Sequence, residues 1–534
     1  MKLIFKQTPR FIVAEKPYGL TTHKVDDFKD GFKEFLEQKT GLDLAIVSRL
    51  DATTSGLILF PIKMHAAEIN AIWQTDSCVK TYLFVTDKPF RDLPSPIEVH
   101  SFIEQKGTDK IWTSDRNKTP NAVSEFKYLK TMDTRSGRRF VWQAKIKTGK
   151  THQIRLHAKD LGISILGDSK YGGSPFFRLC LHCSELQISG EVFSSNSPFE
   201  FLADDLYPLI SEFEQRSRLY TVELSDCFRW LHNKVCNGLL DQYGSELFFY
   251  VYLGSEPTTS YAFPIESLEK AKELTQWISG YFNKSVFLKP MYDRGKAPGK
   301  NELHYFEALK KTWAEDVFTL NWTAIENDFK FQLKSHQGQS PGLFLDQREN
   351  RKWVLNNSEM KTVLNLFSYT GGFSVCAANG NAREVTTVDL SRNFIEWSKE
   401  NFLLNNLPLT DRNQFWTTDT LHFLKGAQNK ARTWDLIICD PPTFGRSDKG
   451  TFQIEKDIDS LVHACFQCLN PGGHILFATN FEKWNQEAVY LRIQKVLAEK
   501  KFKFSLEKTT YQSLDFDFPN QNGKMKSLFI RKTN

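Results

Sequence analysis

Residues 362–372, Thr-Val-Leu-Asn-Leu-Phe-Ser-Tyr-Thr-Gly-Gly, read as a strand that breaks into a glycine turn and continues as a helix. The apolar run Val-Leu-Asn-Leu-Phe is too short for a helix and fits a strand buried on both faces of a parallel sheet. Outward from it, strand and helix patterns alternate: EVTTVDLS, the helical FIEWSKENFLLNN, QFWTTDT, WDLIICDPP and HILFATN. Such alternation predicts a doubly wound α/β domain over 315–534. The turn is not G-x-G-x-x-G, so a nicotinamide or flavin site loses weight. Asp389, Asp419 and Asp440 end successive strands, where open α/β sheets bind ligands. A lone Asp at a strand end is more often a helix cap; a series of them favours a cofactor pocket.

The rest of the chain has a different rhythm. Its 534 residues suggest two to four domains. Residues 1–205 carry short strands with turn signals (FIVAEKPYG, GLILFPI, KTYLFVT, FVWQAKI, LCLHCSELQIS) and few long helical periods, which predicts a mixed, mostly antiparallel α+β domain. SGEVFSSNSPFE looks like its exit. Residues 225–310 hold LFFYVYLG, a helical IESLEKAKELTQWISGYF and SVFLKP, a small α/β module followed by the polar loop YDRGKAPGKNE.

Composition excludes more than it assigns. No stretch approaches the ~18 apolar residues of a membrane helix, and the N-terminus lacks the apolar core of a secretory signal. Nine cysteines spread over the chain are not a disulfide framework and suggest a reducing, cytoplasmic setting. Two C-x-x-C pairs, Cys180/Cys183 and Cys465/Cys468, fall in different predicted domains, and no metal is expected. The net charge of +6 comes from 69 basic against 63 acidic residues, which is compatible with a polyanionic partner without requiring one.

In the front domain, SRLDATTSGLILF sets Arg49 and Asp51 before a glycine turn and an apolar strand. Lys80-Thr-Tyr82 follows. Next comes TGKTHQIRLHAKDLGISILGDSKYGG, which packs Lys150, His152, Arg155, His157 and Lys159 into ten residues. One reading is a basic helix face; the other is a phosphate-facing surface beside an Arg–carboxylate pair. With KPYGLTTH at 16–23, these blocks resemble the RluA-type pseudouridine synthases over most of residues 10–190. The resemblance implies that Asp51 attacks the ribosyl-uracil unit, as nucleophile or base. It further implies that Tyr82 stacks on the base and helps remove the C5 proton, and that Arg155 pairs with Asp51. Arg49 would fill the gap left by the flipped nucleotide, and Lys150 and His152 would contact RNA. No cofactor is implied for this half. Ser48 stands where the family usually has His, and Lys150 where it has Arg, a change that keeps charge but loses bidentate phosphate geometry. The chain starts at the catalytic blocks without an S4-like module, so RNA affinity is expected from elsewhere.

The C-terminal pattern resembles class I S-adenosylmethionine methyltransferases, and within them the RlmK/RlmI group of 23S ribosomal RNA enzymes. GLFLDQRENR at 342–351 matches that group's signature. The resemblance implies S-adenosylmethionine as cofactor, with Arg348 at its methionine end. Asn365, Phe367, Tyr369, Thr370 and Gly371 would form the cradle, Asp389 would bind the ribose hydroxyls and Asp419 the adenine, and Asp440 would complete the site. It also makes 225–310 an RNA-binding-like module. Methylation at cytosine C5 needs a thiolate to add to C6. Here the fifth-strand position reads Phe477-Ala-Thr-Asn480, and Cys439 should point away from Asp440. Guanine N7 has a free lone pair and needs positioning more than a base. DPPTFGRS, ATN and SLDFDF (513–518) also look RlmK-like, so N7 is favoured over C5. Phe444 and Asn480 would touch the base, or else pack a loop and a turn. The expectation is a bifunctional enzyme whose partner is ribosomal RNA, not DNA or a membrane. A front domain that merely docks RNA is the rival.

Overall fold

The computed structural model describes residues 3–533 apart from 25–30, 76–77, 90–94, 107–110, 135–136, 200–205, 221–224, 232–235, 254–264, 293–320, 336–339, 448–449, 510–515 and 517–524. Most of YDRGKAPGKNE, all of SLDFDF except Phe516, and the boundaries expected near 205 and 310–315 lie outside the described residues. No helix among the described residues is long and apolar enough to cross a membrane.

The first region is built on one ten-stranded sheet. Its strands are β1 (Ile4–Gln7), β2 (Phe11–Lys16), β3 (Ser55–Pro61), β4 (Val79–Thr86), β5 (Ile97–Lys106), β6 (Ile111–Asp115), β7 (Ala122–Thr134), β8 (Gly137–Ile146), β9 (Leu181–Ile188) and β10 (Glu191–Ser194). They run in the order β1-β2-β3-β9-β4-β8-β7-β5-β6, with β10 beside β9. Every pairing is antiparallel except β3 with β9. The mixed, mostly antiparallel expectation holds. β3 enters through Gly56 at φ +118°, where a Cβ would lie 2.3 Å from the Cys183 carbonyl oxygen. Glycine therefore lets the chain leaving Asp51 run against β9.

The central sheet has the order β11 (Cys227–Leu231), β12 (Gly238–Tyr243), β13 (Glu246–Leu253), β14 (Val286–Tyr292). β13 reads Glu-Leu-Phe-Phe-Tyr-Val-Tyr-Leu, apolar at nearly every position, and a strand with that pattern must be covered on both faces. It is. Leu247, Phe249 and Val251 join the first region's core together with Leu209 and Phe213 of the helix Tyr207–Tyr220 and Leu274 and Ile278 of the helix Leu268–Phe282. Phe248 and Tyr250 join a second core, shared with the hairpin β15 (Asn321–Glu326)/β16 (Phe329–Lys334) and the C-terminal domain. The module is packed between its neighbours. At about 1.5–3 kcal/mol per buried large apolar side chain, this double burial ties the three units together.

The C-terminal sheet has the order β19 (Asn413–Thr417), β18 (Glu384–Asp389), β17 (Thr362–Leu366), β20 (Trp434–Cys439), β23 (Leu469–Thr479), β25 (Lys526–Lys532), β24 (Phe504–Thr509). The first five are parallel neighbours, and β25 is antiparallel to both strands it touches. Side chains alternate faces as the period of two demands. Leu436 and Ile438 pack on the side facing the central module, and Ile437 and Cys439 on the other. This parity points Cys439 away from the face that Asp440 serves, as the sequence predicts.

Candidate active sites at the two ends of the chain

At the front site, the KPYGLTT segment stitches the Asp51 loop in place. Thr22 Oγ1 donates to the Leu50 carbonyl (2.8 Å) and accepts from the Leu50 amide (3.1 Å). Gly19 N donates to the Ala52 carbonyl. Lys16 Nζ, fully buried, donates to the carbonyls of Pro17 (2.8 Å), Leu20 (2.7 Å) and Ala52 (3.3 Å). Burial pulls its ammonium pKa down to about 7 against the pull of the nearby Asp51 carboxylate.

Arg155 comes from the helix Gln153–Asp160, and Gln153 anchors that helix. Gln153 Oε1 accepts from Thr148 Oγ1 and the Lys150 amide; its Nε2 donates to the Val123 carbonyl and Ser124 Oγ. The Arg155 guanidinium forks onto Asp168, Nε to Oδ2 and Nη2 to Oδ1, both 2.8 Å, and gives Nη1 to Asp51 Oδ2 at 3.2 Å. A planar fork so held has one direction left in which to point. Its pKa rises because the hydrogen bonds and charges of Asp168 and Asp51 outweigh burial, the largest single influence. His152 Nε2 lies 3.6 Å from the same Asp51 oxygen. Its Nδ1 meets the Tyr171 hydroxyl at 2.7 Å, and the Tyr171 ring lies 5.0 Å from the guanidinium carbon. Burial lowers the His152 pKa despite Asp51, which favours the neutral ring.

The basic cluster of 150–159 therefore splits. Arg155 and His152 reach Asp51. His157 is buried between Ser124 Oγ (2.9 Å) and Ser101 Oγ (2.7 Å), and its pKa is pushed down to about 4 by burial. Lys150 and Lys159 are exposed, as is Arg49 beside Asp51. Tyr82 stands on β4 beside Cys183, almost fully buried; burial, then the charges of Cys183 and Asp51, hold its phenol pKa well above the usual value. Asp51 itself keeps 27% of its side-chain surface open. Asp168, Tyr171 and Lys16 were missed as site residues. The signal was present in the GDSKYGG and KPYG blocks: a carboxylate and a phenol between two glycines whose Cβ atoms would each fall 1.9 Å from a carbonyl oxygen, at Gly167 and Gly173.

At the rear site, the loop after β17 turns three times through left-handed backbone, at Phe367 (φ +53°), Tyr369 (φ +49°) and Gly371 (φ +76°). Non-glycine residues in that region are held there by their surroundings. The Tyr369 amide donates to Asp389 Oδ2 (2.8 Å), and its hydroxyl donates to the Ser340 carbonyl (3.1 Å). Phe367 packs on Phe452, with ring centroids 5.5 Å apart. At Gly371 a Cβ would press on Ser398 at 2.8 Å. Asp389 also accepts from the Ser391 amide, and burial raises its pKa. The exposed Leu390 beside it offers an apolar platform. Asp440 accepts from Gln347 Nε2 (2.7 Å), and burial, then the Asp346 charge, pushes its pKa up to about 7. Asn480 and Phe444 flank this mouth: Thr443 Oγ1 donates to Asn480 Oδ1 at 3.4 Å, and Phe444 is 41% exposed.

Other candidates also make hydrogen bonds within the fold. Asn365 is buried and donates to Ser374 Oγ (2.9 Å), and Thr370 donates to the Gly342 carbonyl (2.6 Å). Asp419 caps the helix Thr420–Asn429 through His422 N. Arg348, expected at the cofactor's methionine end, is 1% exposed, donates to the Cys227 carbonyl of β11, and lies 3.5 Å from Glu326. Its position on the first turn of a helix that docks against the central sheet turns it inward, which the signature alone did not reveal. All nine cysteines are free and buried.

Residues 10–160 match the family described as RNA pseudouridylate synthase, and 305–495 the family described as S-adenosylmethionine-dependent methyltransferase. The "Ribosomal RNA large subunit methyltransferase K/L" of Shewanella pealeana is 40% identical over 191 residues, 35% of this chain and 25% of that protein. Its counterpart in Shewanella sediminis is 36% identical over 227 residues, 42% of this chain and 29% of that protein. The chain thus spans about a quarter of the length of these curated relatives. The crystal structure of SMU.776 complexed with SAH shares the fold with TM-score 0.50 at 23% identity, covering 65% of this chain and 84% of that one.

Proposed function

We propose that this chain, which carries an RNA pseudouridylate synthase domain and an S-adenosylmethionine-dependent methyltransferase domain, modifies structured ribosomal RNA twice. One step isomerises uridine to pseudouridine, and the other methylates guanine at N7. Pseudouridine formation needs a uridine drawn out of its stack, and loops of folded RNA present such bases to both sites. Free buried thiols suit the cytoplasm.

The Asp51–Arg155–Asp168 constellation carries the first half. Breaking the ribosyl C1′–N1 bond, turning the uracil and joining C5 to C1′ requires a carboxylate fixed at the sugar, and the doubly anchored guanidinium fixes it. Tyr82 keeps its proton at neutral pH, so its ring is the platform for the uracil rather than a ready-made base. Arg49, Lys150 and His152 face the approaching backbone.

In the second half, the loop 367–371 and Asp389 fit the cofactor: backbone turned toward the ligand, a carboxylate with lone pairs to spare, and the Leu390 platform beside it. S-adenosylmethionine supplies the electrophilic methyl group when bound. Phe444 stacks the target base, while Asn480 and Asp440 meet its polar edge. N7 over cytosine C5 rests on the burial of every thiol, Cys439 being packed beside Cys465 rather than offered to the crevice. The test is nucleoside mass spectrometry of ribosomal RNA treated with the chain and the cofactor. N7-methylguanosine supports the reading, and 5-methylcytidine contradicts it.

A further inference from the structure

The methyl-transfer site has a neighbour outside its own domain. On β11 of the central sheet, Arg229 forks onto Asp241 of β12, Nε to Oδ1 at 2.6 Å and Nη2 to Oδ2 at 2.7 Å. Its guanidinium carbon lies 4.3 Å from the centroid of Phe516, a buried ring of the C-terminal domain. Two residues earlier, the Cys227 carbonyl takes the Arg348 guanidinium. Arg351, one turn further along the same helix, forks onto Glu326 of β15 at 2.6 and 2.8 Å. The central sheet and the β15 hairpin thus hold the segment 345–351 between them, through the Cys227 carbonyl and Glu326. That segment delivers Gln347 to Asp440, and Asn350 braces Gln347 by donating to its Oε1 and, at 2.8 Å, to Ser527 Oγ.

The charges converge as well. Asp346 is faced by Arg229 and Asp241 from the central sheet, by Arg351 from its own helix and by Asp440 from β20. Asp440 is faced by Asp346, Gln347 and Arg351. The Asp346 charge raises the proton affinity of Asp440, and Arg229 and Arg351 lower that of Asp346.

We infer that Arg229 is a positioning residue for methyl transfer, a guanidinium lent by the central module that fixes Phe516 and the 345–351 segment so that Asp440 keeps its place. It acts through those residues and does not touch the reacting atoms. The inference rests on the proposed methyl-transfer reading of the rear site. A fixed fork is what the place demands: lysine would keep the charge and lose the Asp241 geometry.

The chain provides its own control, because the central sheet shares a core with the pseudouridine synthase region. Arg229→Met, Arg229→Lys and the wild type are assayed on ribosomal RNA for methyl transfer and pseudouridine in one reaction, across pH 5.5–9. For Arg229→Met, kcat for methyl transfer should fall about 10–100-fold, with KM for the cofactor within about threefold. The acid limb of the pH profile should move to higher pH, since removing the cation that faces Asp346 raises the proton affinity of that acid. Arg229→Lys should recover part of both effects, and pseudouridine formation should stay within about twofold. Methyl transfer as fast as wild type with an unmoved acid limb overturns the inference, as does an equal loss of both activities, which marks general loosening of the module. Absence of methyl transfer by the wild type overturns the rear-site reading and the inference with it, so the two failures are distinguishable.

Discussion

The two catalytic ends solve opposite problems. The front site is assembled before any substrate arrives. Asp51 is already met by Arg155, Arg155 is already locked on Asp168, and the loop that carries Asp51 is sewn to Lys16, Gly19 and Thr22. The rear site keeps its acids apart at separate strand tips, raises the pKa values of Asp389 and Asp440 by burial, and carries its loop through left-handed backbone. A lone carboxylate that must act on a sugar gains from preorganisation by fixed charge. A pocket whose cofactor brings its own positive charge gains from acids that are not already spent on internal ion pairs.

The largest effect should come from removing the front acid. Asp51→Asn should cut pseudouridine formation at least about 10³-fold while leaving methyl transfer within about twofold. Nucleoside analysis of the same RNA reads both, and parallel losses would break the contrast. Next, Asp389→Ala should weaken cofactor binding about 10²-fold by calorimetry, since it removes the tip carboxylate and the partner of the Tyr369 amide together. Pseudouridine formation should not respond.

Tyr82→Phe preserves the ring and should cost about tenfold in pseudouridine rate, with Tyr82→Ala costing at least tenfold more. If the two variants are equally impaired, the hydroxyl rather than the ring carries the function.

The smallest effect is thermodynamic. The Asp440 pKa is about 7 in the folded chain, above an unfolded value near 3.8, so its charged form is disfavoured by folding. Between those limits the unfolded state holds fewer protons, and this group makes the protein less stable as pH rises from about 4 to 7. Asp440→Asn should therefore stabilise the chain at pH 7.5 by about 1–2 kcal/mol in urea unfolding while losing methyl transfer. In the wild type, methyl transfer should rise with pH through about 7, as the carboxylate becomes able to accept from the base. A flat profile there would contradict the role assigned to Asp440.

How far the sequence reaches follows the same contrast. Period-two and alternating β/α patterns show both sheets, and strand parity alone gives Cys439 its direction, because these depend on local steric rules. Arg155 meets Asp51 across 104 residues of chain, as the pseudouridine synthase resemblance implies and no local spacing could show. The sequence could not show that Arg348 turns inward, that Asn365 and Thr370 make internal hydrogen bonds, or that the largely apolar β13 is covered by two different cores. Those outcomes depend on how separate units pack. Asp168 lay in view inside GDSKYGG, but that it forks Arg155 was visible only once Gly167 and Gly173 were seen holding the turn against neighbouring carbonyls.

The central claim is that one chain holds two complete and separable chemistries. It is tested most directly by treating unmodified ribosomal RNA with the wild type, Asp51→Asn or Asp440→Asn in the presence of methyl-deuterated cofactor, then digesting and weighing the nucleosides. The account predicts pseudouridine and deuteromethyl-guanosine from the wild type, only the methylated base from Asp51→Asn, and only pseudouridine from Asp440→Asn. Either product surviving the loss of its own acid, or vanishing with the other's, would contradict it.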